Sequence, residues 1–433
     1  MTRVERDVVV VGGGAAGMAA ASVISENGHS VSLIERESCR GGILNQCIHN
    51  GFGLHYFGEE LTGPEYAERF SNRLAALDGV EVHTNTTAVD ILSRDGEGVP
   101  GDGSGFDSDS DPDSESRQIV YAVSPADGLI RIDTRAVVLA LGCRERNRGN
   151  IGIPGTRPSG IFTAGLAQRL VNIEGYVPGR HVVIVGSGDI GLIMARRMRW
   201  VGAEVLGVVE IQQYPSGITR NIVQCLNDFD IPLFLSHVVS RIHGRDRIEA
   251  VDVSPLEDGK PDVAKTFRLE CDTLLLSVGL IPDNELLKKA GIAINPETNG
   301  PHVDASLMTS VPGVFACGNG LHVHDLVDYA SEEAEYCGRA VSRYIDGESL
   351  EDARNLVAGA NLRYVIPERV AVGRENVLFA RSLIVKNDAT LIATSGESEV
   401  FSKHLRHVQP SEMIRFVLAP DEEIRGDVEV RLQ

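Results

Sequence analysis

The sequence predicts an α/β protein in which a second α/β domain is inserted into the first and a small β-rich domain follows. Three observations predict this class. A strand–glycine loop–helix–strand unit occurs twice, an apolar strand ending in glycine follows each copy, and short strands replace this pattern after about residue 350. With 433 residues, the chain is long enough for two or three domains.

The first copy of the repeated unit lies at the N-terminus. The buried strand DVVVV at 7–11 leads into a glycine loop from Gly12 to Gly17, and a helix of small residues continues to Asn27. A second strand ends at Glu35, 18 residues after the last glycine of the loop. This spacing is typical of a dinucleotide site, in which a pyrophosphate lies on the helix N-terminus and the acid accepts hydrogen bonds from a ribose.

The second copy has the same parts in the same order. The strand HVVIV at 181–185 precedes a glycine loop from Gly186 to Gly191, and the next strand ends at Glu210, 19 residues beyond the loop. One glycine motif alone is weak evidence. Two copies in full strand–helix–strand context predict two Rossmann-like dinucleotide-binding domains.

Two apolar strands mark the predicted insertion. AVVLALG at 136–142 follows the first copy, and DTLLLSVG at 272–279 follows the second. Short strands separated by polar turns dominate the C-terminal part, which indicates a separate β-rich domain. The predicted domains are a discontinuous first domain, an inserted second domain and a β-rich third domain, at 1–150 with 273–350, 151–272 and 352–433, respectively.

The segment at 95–117 consists largely of Gly, Ser and Asp and has almost nothing to bury, so we predict a disordered acidic surface loop. Aspartate at alternate positions of 107–111 also suggests an EF-hand calcium loop. That alternative is disfavoured, because Pro112 occupies the sixth position, which needs glycine, and Gln118 occupies the twelfth, which needs glutamate.

The charge of the chain excludes some partners. A net charge of −20 and a pI near 5.0 leave no basic face for a phosphate backbone, so we expect no nucleic-acid partner. Only six of the 41 basic residues are lysine, which leaves 35 arginines. An acidic, lysine-poor surface suits high salt, so a halophilic source is one hypothesis and an ordinary acidic cytosolic protein is the other.

Cysteine usage points to a reducing compartment. The seven cysteines are scattered and form no C-x-x-C pair, which favours a cytoplasmic protein and provides no zinc or iron–sulfur spacing. We therefore predict no metal site. The apolar start, VVVVGGGAAGMAAASVI, is too short to span a bilayer, so no membrane span is expected.

A third motif connects these units to a known family. TSVPGVFACGN at 309–319 has the form of a strand that presents a short polar residue to a flavin ribityl chain. Together with both glycine loops, AVVLALG and SVGLIPDN at 277–284, it makes residues 1 to about 345 resemble the pyridine nucleotide-disulfide oxidoreductase superfamily. The resemblance implies a glutathione-reductase-like arrangement with FAD on the first unit and NAD(P) on the second.

The resemblance also implies which residues contact the cofactors. The FAD contacts would be Gly12, Gly14, Gly17, Glu35, Gly42, Ala88, Ala140, Gly142, Gly318 and Asn319. The NAD contacts would be Gly186, Gly188, Gly191, Glu210 and Gly279. A carboxylate at Glu210 would repel the 2′-phosphate of NADP, so we expect NAD(H), unless Arg196 or Arg197 swings across to offset that charge.

Two departures from the superfamily bear on function. Asn319 stands where aspartate is usual, which keeps a ribityl acceptor but removes a negative charge. Disulfide reductases of the superfamily carry two cysteines in GG-T-C-x-x-x-x-C, whereas GGILNQCIHNGFG at 41–53 is two residues shorter and retains only Cys47. Together with CGNGLHVHDLVDY at 317–329 and LRYVIPERV at 362–370, this segment resembles the FAD/NAD-binding subunits of anaerobic glycerol-3-phosphate dehydrogenase, opine oxidase and hydrogen cyanide synthase.

Cys47 and His49 are the candidate catalytic residues. Cys47 is either a redox thiol, which would require a lowered pKa, or a small residue packed beside the flavin. His49, His55, His322 and His324 are expected to line the flavin face, where they would bind an anionic substrate, move a proton or make only polar contacts. Asp325 and Asp328 are predicted to start a helix.

These features predict an FAD-dependent NAD(P)H oxidoreductase that transfers hydride between nicotinamide and flavin. The first hypothesis is a redox subunit of a flavin dehydrogenase complex, of glycerol-3-phosphate or amino-acid/opine type, and therefore an oligomer. Because no cysteine follows Cys337, any iron–sulfur cluster would belong to a partner. The alternatives are a stand-alone peroxidase or disulfide reductase that uses Cys47, and a nucleotide-loaded sensor subunit.

Overall fold

The computed structural model describes residues 1–93, 118–348, 352–420 and 423–433. The acidic loop predicted at 95–117 and its calcium alternative lie outside the described residues.

The chain divides into two compact units. The first comprises Met1–Asn45, Asn50–Cys143 and Pro282–Gln433, and the second comprises Gln46–His49 and Arg144–Ile281. The domain boundaries given above stay predictions.

The N-terminal part of the chain supplies the large sheet of the first unit. Its strands are β1 (Thr2–Val11), β2 (Val31–Ile34), β3 (Asn50–Phe52), β4 (Leu61–Thr62), β5 (Val80–His83), β6 (Thr87–Ser93), β7 (Gln118–Ser124), β8 (Gly128–Leu139) and β9 (Cys143–Glu145). Its helices are α1 (Ala15–Glu26) and α2 (Gly63–Ala75). In the order β5-β2-β1-β8 the strands are parallel, and β7 and β6 continue the sheet in antiparallel fashion.

Runs of β-branched residues explain the centre of this sheet. Val8–Val11 of β1 pair with Val31–Ile34 on one side and with Ala136–Leu139 on the other. All three segments are buried, as is usual for parallel strands that are covered on both faces. The carboxyl ends of β1, β2 and β8 therefore meet at one edge, where the first glycine loop begins.

The second unit has its own parallel sheet. Its strands are β10 (Ile161–Thr163), β11 (His181–Val185), β12 (Glu204–Glu210), β13 (Leu233–Leu235), β14 (His237–Gly244), β15 (Ile248–Glu257), β16 (Lys260–Pro261), β17 (Phe267–Glu270) and β18 (Thr273–Leu276). Its helices are α3 (Arg148–Ile151), α4 (Ala164–Asn172), α5 (Asp189–Trp200) and α6 (Thr219–Cys225). The parallel order is β10-β18-β11-β12-β13, and β14 to β17 form a separate antiparallel sheet.

After this unit the chain completes the first sheet. The elements are β19 (Leu280–Pro282), α7 (Glu285–Lys289), β20 (Val314–Ala316) and α8 (Val327–Ile345). The strand β20 pairs in parallel with β8. Helix α8 packs on α1 through small residues, because a Cβ at Gly338 would lie only 2.9 Å from the carbonyl oxygen of Ala20.

The C-terminal part of the first unit is built of strands. They are β21 (Ala353–Ala358), β22 (Leu362–Ile366), β23 (Arg369–Ala371), β24 (Asn376–Ser382), β25 (Lys386–Ser395), β26 (Ser398–Val408), β27 (Met413–Leu418) and β28 (Val428–Leu432). They form two sheets, in the orders β23-β21-β28-β25-β26 and β22-β24-β27. Their inward residues, among them Leu378, Leu391 and Phe416, form a separate hydrophobic cluster.

Two details of the C-terminal strands differ from the sequence prediction. LRYVIPERV is predicted as one strand but forms β22 and β23, because Pro367 between them has no N–H to continue a strand ladder. The strands β21 and β26 were not predicted. Most of β26 is exposed at the edge of its sheet, so its sequence lacks the regular apolar alternation that identifies a strand.

Candidate functional site

The first glycine loop is shaped by very close backbone contacts. Gly12 has φ +110°, and a Cβ at this position would lie 2.2 Å from the carbonyl oxygen of Ala140. A Cβ at Gly17 would lie 1.7 Å from the carbonyl oxygen of Gly12. Any larger residue would push β1, β8 and α1 apart, so these two glycines are required by the fold of the loop itself.

Gly14 is different from its neighbours in the loop. It is the N-cap of α1, it makes no side-chain cap, and a Cβ added there would meet no atom within 4 Å. A helix N-terminus without a side-chain cap has free N–H groups that suit an anion. The structure therefore leaves at Gly14 the room that a bound pyrophosphate needs. Gly42 borders this space, since a Cβ there would lie 3.3 Å from Gly14 Cα.

Glu35 is fixed at the end of β2 by the loop. Its Oε2 accepts a hydrogen bond of 2.7 Å from the N–H of Gly13, and its Oε1 accepts one of 2.8 Å from the N–H of Glu37. The side chain is buried. The carboxylate is thus held beside the glycine loop, as a ribose-binding acid must be.

The second glycine loop repeats these contacts. Gly186 has φ +93°, and a Cβ there would lie 2.0 Å from the carbonyl oxygen of Ser277. A Cβ at Gly191 would lie 2.5 Å from the carbonyl oxygen of Gly186, whereas a Cβ at Gly188, the N-cap of α5, would have no atom nearer than 3.9 Å. The two units therefore match in their contacts and not only in sequence.

The acid of the second unit is also held by its loop. Glu210 Oε2 accepts hydrogen bonds of 2.8 Å from the N–H of Ser187 and 2.6 Å from its hydroxyl. Glu210 Oε1 accepts one of 2.9 Å from the N–H of Gln212. This arrangement repeats that of Glu35, with one extra bond from a side chain that the first loop lacks.

Asp189 is a residue of the second loop that sequence reasoning did not single out. It occupies the first turn of α5, and its Oδ1 accepts hydrogen bonds from the N–H of Ile218, at 3.0 Å, and from Asn221 Nδ2, at 2.7 Å. It therefore ties the segment before α6 to the start of α5. Only its position after the second glycine of the motif could have identified it.

The remaining predicted cofactor residues lie near the strand ends. Gly142 and Gly279 follow β8 and β18 with φ of +71° and +99°, and Ala88 lies in β6. Gly318 has φ +67°, and a Cβ there would lie 2.6 Å from Ala16 Cβ in the first turn of α1. The flavin-type motif is thus placed against the same helix start as the first glycine loop.

Asn319 follows this motif with both ends of its amide engaged. Its Oδ1 accepts a hydrogen bond of 2.9 Å from the N–H of His324, and its Nδ2 donates to Cys143 Sγ at 3.7 Å. The substitution of asparagine for aspartate therefore provides a donor as well as an acceptor at this position.

The segment that contains Cys47 packs on α4 within the second unit. Gln46 Nε2 donates to the carbonyl oxygen of Gly165 at 2.9 Å and to Gln168 Oε1 at 3.0 Å. The Cys47 thiol donates to the same Gln168 oxygen at 3.6 Å. Burial raises the pKa of Cys47 to about 12, and burial together with two nearby arginines lowers the pKa of His49 to about 4. Both groups are therefore uncharged at neutral pH.

The predicted set of four histidines is only partly brought together. His322 and His324 lie in contact, with ring centroids 4.2 Å apart, and both are buried. His55 is exposed and stacks on Tyr329 with ring centroids 5.8 Å apart. His49 belongs to the other unit.

Glu333 completes the buried histidine pair and was missed by sequence reasoning. His322 Nε2 lies 2.6 Å from Glu333 Oε2, and the N–H of Gly318 donates to Glu333 Oε1 at 2.6 Å. Burial lowers the pKa of His322 to about 4, so it is a neutral imidazole that donates to the ionised carboxylate. A charged residue on the buried face of α8, one helical turn from Tyr329 and Cys337, was the signal that could have revealed it.

The two predicted helix-start acids act differently. Asp328 lies in the first turn of α8, where its Oδ1 accepts a hydrogen bond of 3.0 Å from the N–H of Gly53. Asp325 precedes the helix, and its Oδ2 accepts a hydrogen bond of 3.1 Å from the N–H of Met413 in β27. Only Asp328 is therefore within the helix, and Asp325 instead joins the loop to a C-terminal strand.

Across the described residues, no helix is both long enough and apolar enough to cross a bilayer.

Comparison with known proteins identifies relatives of most of the chain. The HcnB subunit of hydrogen cyanide synthase from Pseudomonas protegens is 27% identical over 334 residues, which cover 72% of this chain and 65% of that protein. One of the subunits of opine oxidase from Agrobacterium tumefaciens is 26% identical over 349 residues, covering 77% and 64%, respectively. The alignments thus span slightly less than two thirds of these relatives.

Solved structures confirm the predicted fold class. Thioredoxin reductase of T. acidophilum superposes with a TM-score of 0.60 at 22% identity and covers 80% of this chain and 99% of its own. The Lactococcus lactis thioredoxin reductase gives 0.59 at 19%, covering 79% and 100%. The sequence model of the pyridine nucleotide-disulphide oxidoreductases matches residues 6–334. Because this match covers most of the chain, the protein belongs to that family, whose members depend on FAD and NAD(P).

Proposed function

We propose that the protein binds FAD at the first glycine loop and NAD(H) at the second, and that it transfers hydride between them. One observation carries this proposal: each loop has two glycines required by close packing, one open glycine at a helix N-terminus and a glutamate bonded to the loop amides. When bound, the two cofactors would supply hydride exchange between nicotinamide C4 and flavin N5.

The residues of the chain would bind and orient the cofactors. The N-termini of α1 and α5 would face the pyrophosphates, since Gly14 and Gly188 leave space there. Glu35 and Glu210 would accept ribose hydroxyls while they keep their bonds to loop amides. Asn319 would accept a ribityl hydroxyl.

The second site favours NAD over NADP. The Glu210 carboxylate would repel a 2′-phosphate, and the two arginines that could offset it are engaged elsewhere. Arg197 Nε donates to Asn172 Oδ1 at 2.7 Å, and the Arg196 guanidinium lies 4.8 Å from the centre of the Trp200 ring. We expect Glu210→Gln to reduce the NADH-to-NADPH preference at least about tenfold, while the exposed control Glu204→Gln leaves it unchanged. Equal use of both cofactors by the unaltered protein would contradict the assignment.

We further propose that the protein is a redox subunit of a flavin dehydrogenase complex that acts on glycerol 3-phosphate or on an amino acid or opine. Two relatives are named as subunits, of hydrogen cyanide synthase and of opine oxidase. The neutral, buried Cys47 supports this role, since a stand-alone peroxidase or disulfide reductase would need a thiolate. Such a subunit would work in the cytoplasm as part of an oligomer.

An anaerobic NADH titration of the purified flavoprotein tests the first part of this proposal. Loss of flavin absorbance at one NADH per chain, without a long-wavelength charge-transfer band, is the expected result. Protein that retains its flavin but is not reduced by NADH would instead indicate a sensor subunit.

Affinity purification from the source organism tests the second part. A flavin dehydrogenase should co-purify in a stoichiometric amount, and reduction of the complex by NADH or by the dehydrogenase substrate should reach both flavins. A lone protein with full turnover on a small substrate would exclude the subunit role.

A further inference from the structure

The cluster at the start of α8 brings three metal-ligand side chains into one buried place. His322, His324 and Glu333 are 0%, 8% and 2% exposed. One nitrogen or oxygen atom from each lies within 4.8 Å of those from the other two. Imidazole nitrogen and carboxylate oxygen are donors that zinc and related ions bind in proteins. We propose that these three residues bind one divalent transition-metal ion of the zinc class.

The hydrogen bonds of the protein leave this cluster incompletely satisfied. Nδ1 of His322 and both ring nitrogens of His324 are buried without a hydrogen-bond partner. Buried polar side chains normally have such partners, so two adjacent imidazoles with three unpaired nitrogens indicate that another ligand is accommodated there. His324 Nε2 faces the carboxylate, 3.3 Å from Glu333 Oε1, but is not aligned for a hydrogen bond.

The distances between the ligand atoms are close to those of a metal site. Ligands placed about 2.0–2.1 Å from a tetrahedral zinc ion lie about 3.3 Å from one another. His324 Nε2 and Glu333 Oε1 are already 3.3 Å apart. His322 Nε2 and Glu333 Oε2 are 2.6 Å apart, as in a hydrogen bond, so the His322 ring would withdraw slightly on binding. A water molecule would complete the coordination.

The surrounding residues hold the three ligands in place. Glu333 Oε1 accepts the N–H of Gly318 at 2.6 Å, and the N–H of His324 donates to Asn319 Oδ1 at 2.9 Å. The His322 ring packs near Phe379, with ring centroids 5.6 Å apart. Such outer contacts orient the ligands of a metal site and exclude water from it.

The charge and position of the site indicate a structural role. Glu333 brings one negative charge to the ion, and the nearby Arg381 guanidinium is held by the carbonyl oxygen of Val323 at 2.7 Å. The ion would join the loop that carries His322 and His324 to the second turn of α8. It would thereby fix the loop that follows the flavin-type motif. This inference does not rest on the proposed hydride transfer.

Metal analysis of the purified full-length protein tests the site. Protein expressed in zinc-supplemented medium and dialysed without chelator should contain about one equivalent of transition metal per chain by mass spectrometry. His324→Ala should contain less than about one tenth of that, because three ligands are reduced to two. The matched control His55→Ala removes an exposed histidine and should keep the full amount.

A second measurement keeps the test decisive if His324→Ala folds poorly. Chelator-treated wild-type protein should gain at least about 3 °C in Tm when ZnCl₂ is added, whereas His324→Gln, which is similar in size, should gain nothing. Removal of the His324 side chain breaks no side-chain hydrogen bond, so at least one of these variants should retain its circular dichroism spectrum. Wild-type protein with less than about a tenth of an equivalent and no Tm response, or a folded variant with full metal content, would overturn the proposal.

Discussion

At the scale of single residues, the glycines of one motif have different tasks. Gly12 is confined by the carbonyl oxygen of Ala140, whereas Gly14 borders open space at the start of α1. A sequence motif shows both simply as glycine. The structure separates the glycine that the fold requires from the one that a ligand would require.

This difference predicts opposite effects of two alanine substitutions. Gly12→Ala should lower the free energy of unfolding by at least about 2 kcal/mol, because its Cβ would overlap Ala140 O at positive φ. Gly14→Ala should change it by no more than about 1 kcal/mol yet reduce FAD content, since its methyl group would enter the space for pyrophosphate. Urea unfolding of the flavin-free proteins and the flavin absorbance of the purified proteins measure the two effects. A Gly14→Ala variant with full FAD would contradict the assignment.

Cys47 permits a test that depends on pH. Burial raises the pKa of its thiol from 9.0 to about 12, so the group stays protonated at pH 8 and ionises only as the pH approaches that value. Iodoacetamide at pH 8 should therefore alkylate Cys47 at least about tenfold more slowly than the exposed Cys39. Peptide mass spectrometry of the native protein follows both sites.

The substitution Cys47→Ser distinguishes packing from redox chemistry. It should leave NADH-driven flavin reduction within about twofold of wild type, because a neutral thiol that donates to Gln168 can be replaced by a hydroxyl. Cys39→Ser is the matched control. A loss of more than about a hundredfold at Cys47 alone would restore the single-cysteine enzyme as the better hypothesis.

At the scale of elements, strands buried on both faces were predictable and edge strands were not. DVVVV and HVVIV form β1 and β11, because continuous β-branched runs have few other stable arrangements. The strand β26 escaped prediction, since its pairing with β25 depends on backbone hydrogen bonds more than on an apolar face. The segment that contains Cys47 was predicted to face the flavin, but its packing on α4 depends on Gln168, which is distant in sequence.

A turn in the C-terminal part shows how one polar side chain fixes two strands. Asn376 begins β24 and is 1% exposed. Its Oδ1 accepts the N–H of Ala371 at 2.7 Å, and its Nδ2 donates to the carbonyl oxygens of Ala371 and Arg374, both at 2.9 Å. The side chain therefore replaces backbone partners in the turn between β23 and β24.

Asn376→Ala should consequently destabilise the protein. We expect a loss of about 2–4 kcal/mol, because three backbone groups would be left without partners in a buried turn. Asn387→Ala, which removes an exposed asparagine bonded only to His407, should cost less than about 0.5 kcal/mol. Denaturant titration followed by circular dichroism compares the two. Equal costs would show that the turn is held by its backbone alone.

At the scale of the whole molecule, the repeat was the most informative feature of the sequence. It predicted two loops with the same local contacts, and the structure repeats them down to the bonds of Glu35 and Glu210. The cluster of His322, His324 and Glu333 was not predictable as a unit. Its members come from a loop and from the buried face of α8, and only the packing of the helix brings the carboxylate to the two rings.

The net charge of −20 leads to a prediction about the whole chain. Acidic side chains such as those of Glu257, Asp388 and Glu423 are more than 70% exposed, so their mutual repulsion is open to screening by salt. We therefore expect Tm to rise by more than about 5 °C between 0.1 M and 3 M KCl, with most of the increase below about 1 M, where the screening length falls to about 3 Å. Sorbitol at equal water activity is the control, because it is excluded from the surface but screens no charge. If sorbitol raised Tm as much as KCl, general exclusion would explain the effect and the halophilic hypothesis would fail. A rise with KCl alone would show that the acidic, lysine-poor surface requires salt for stability.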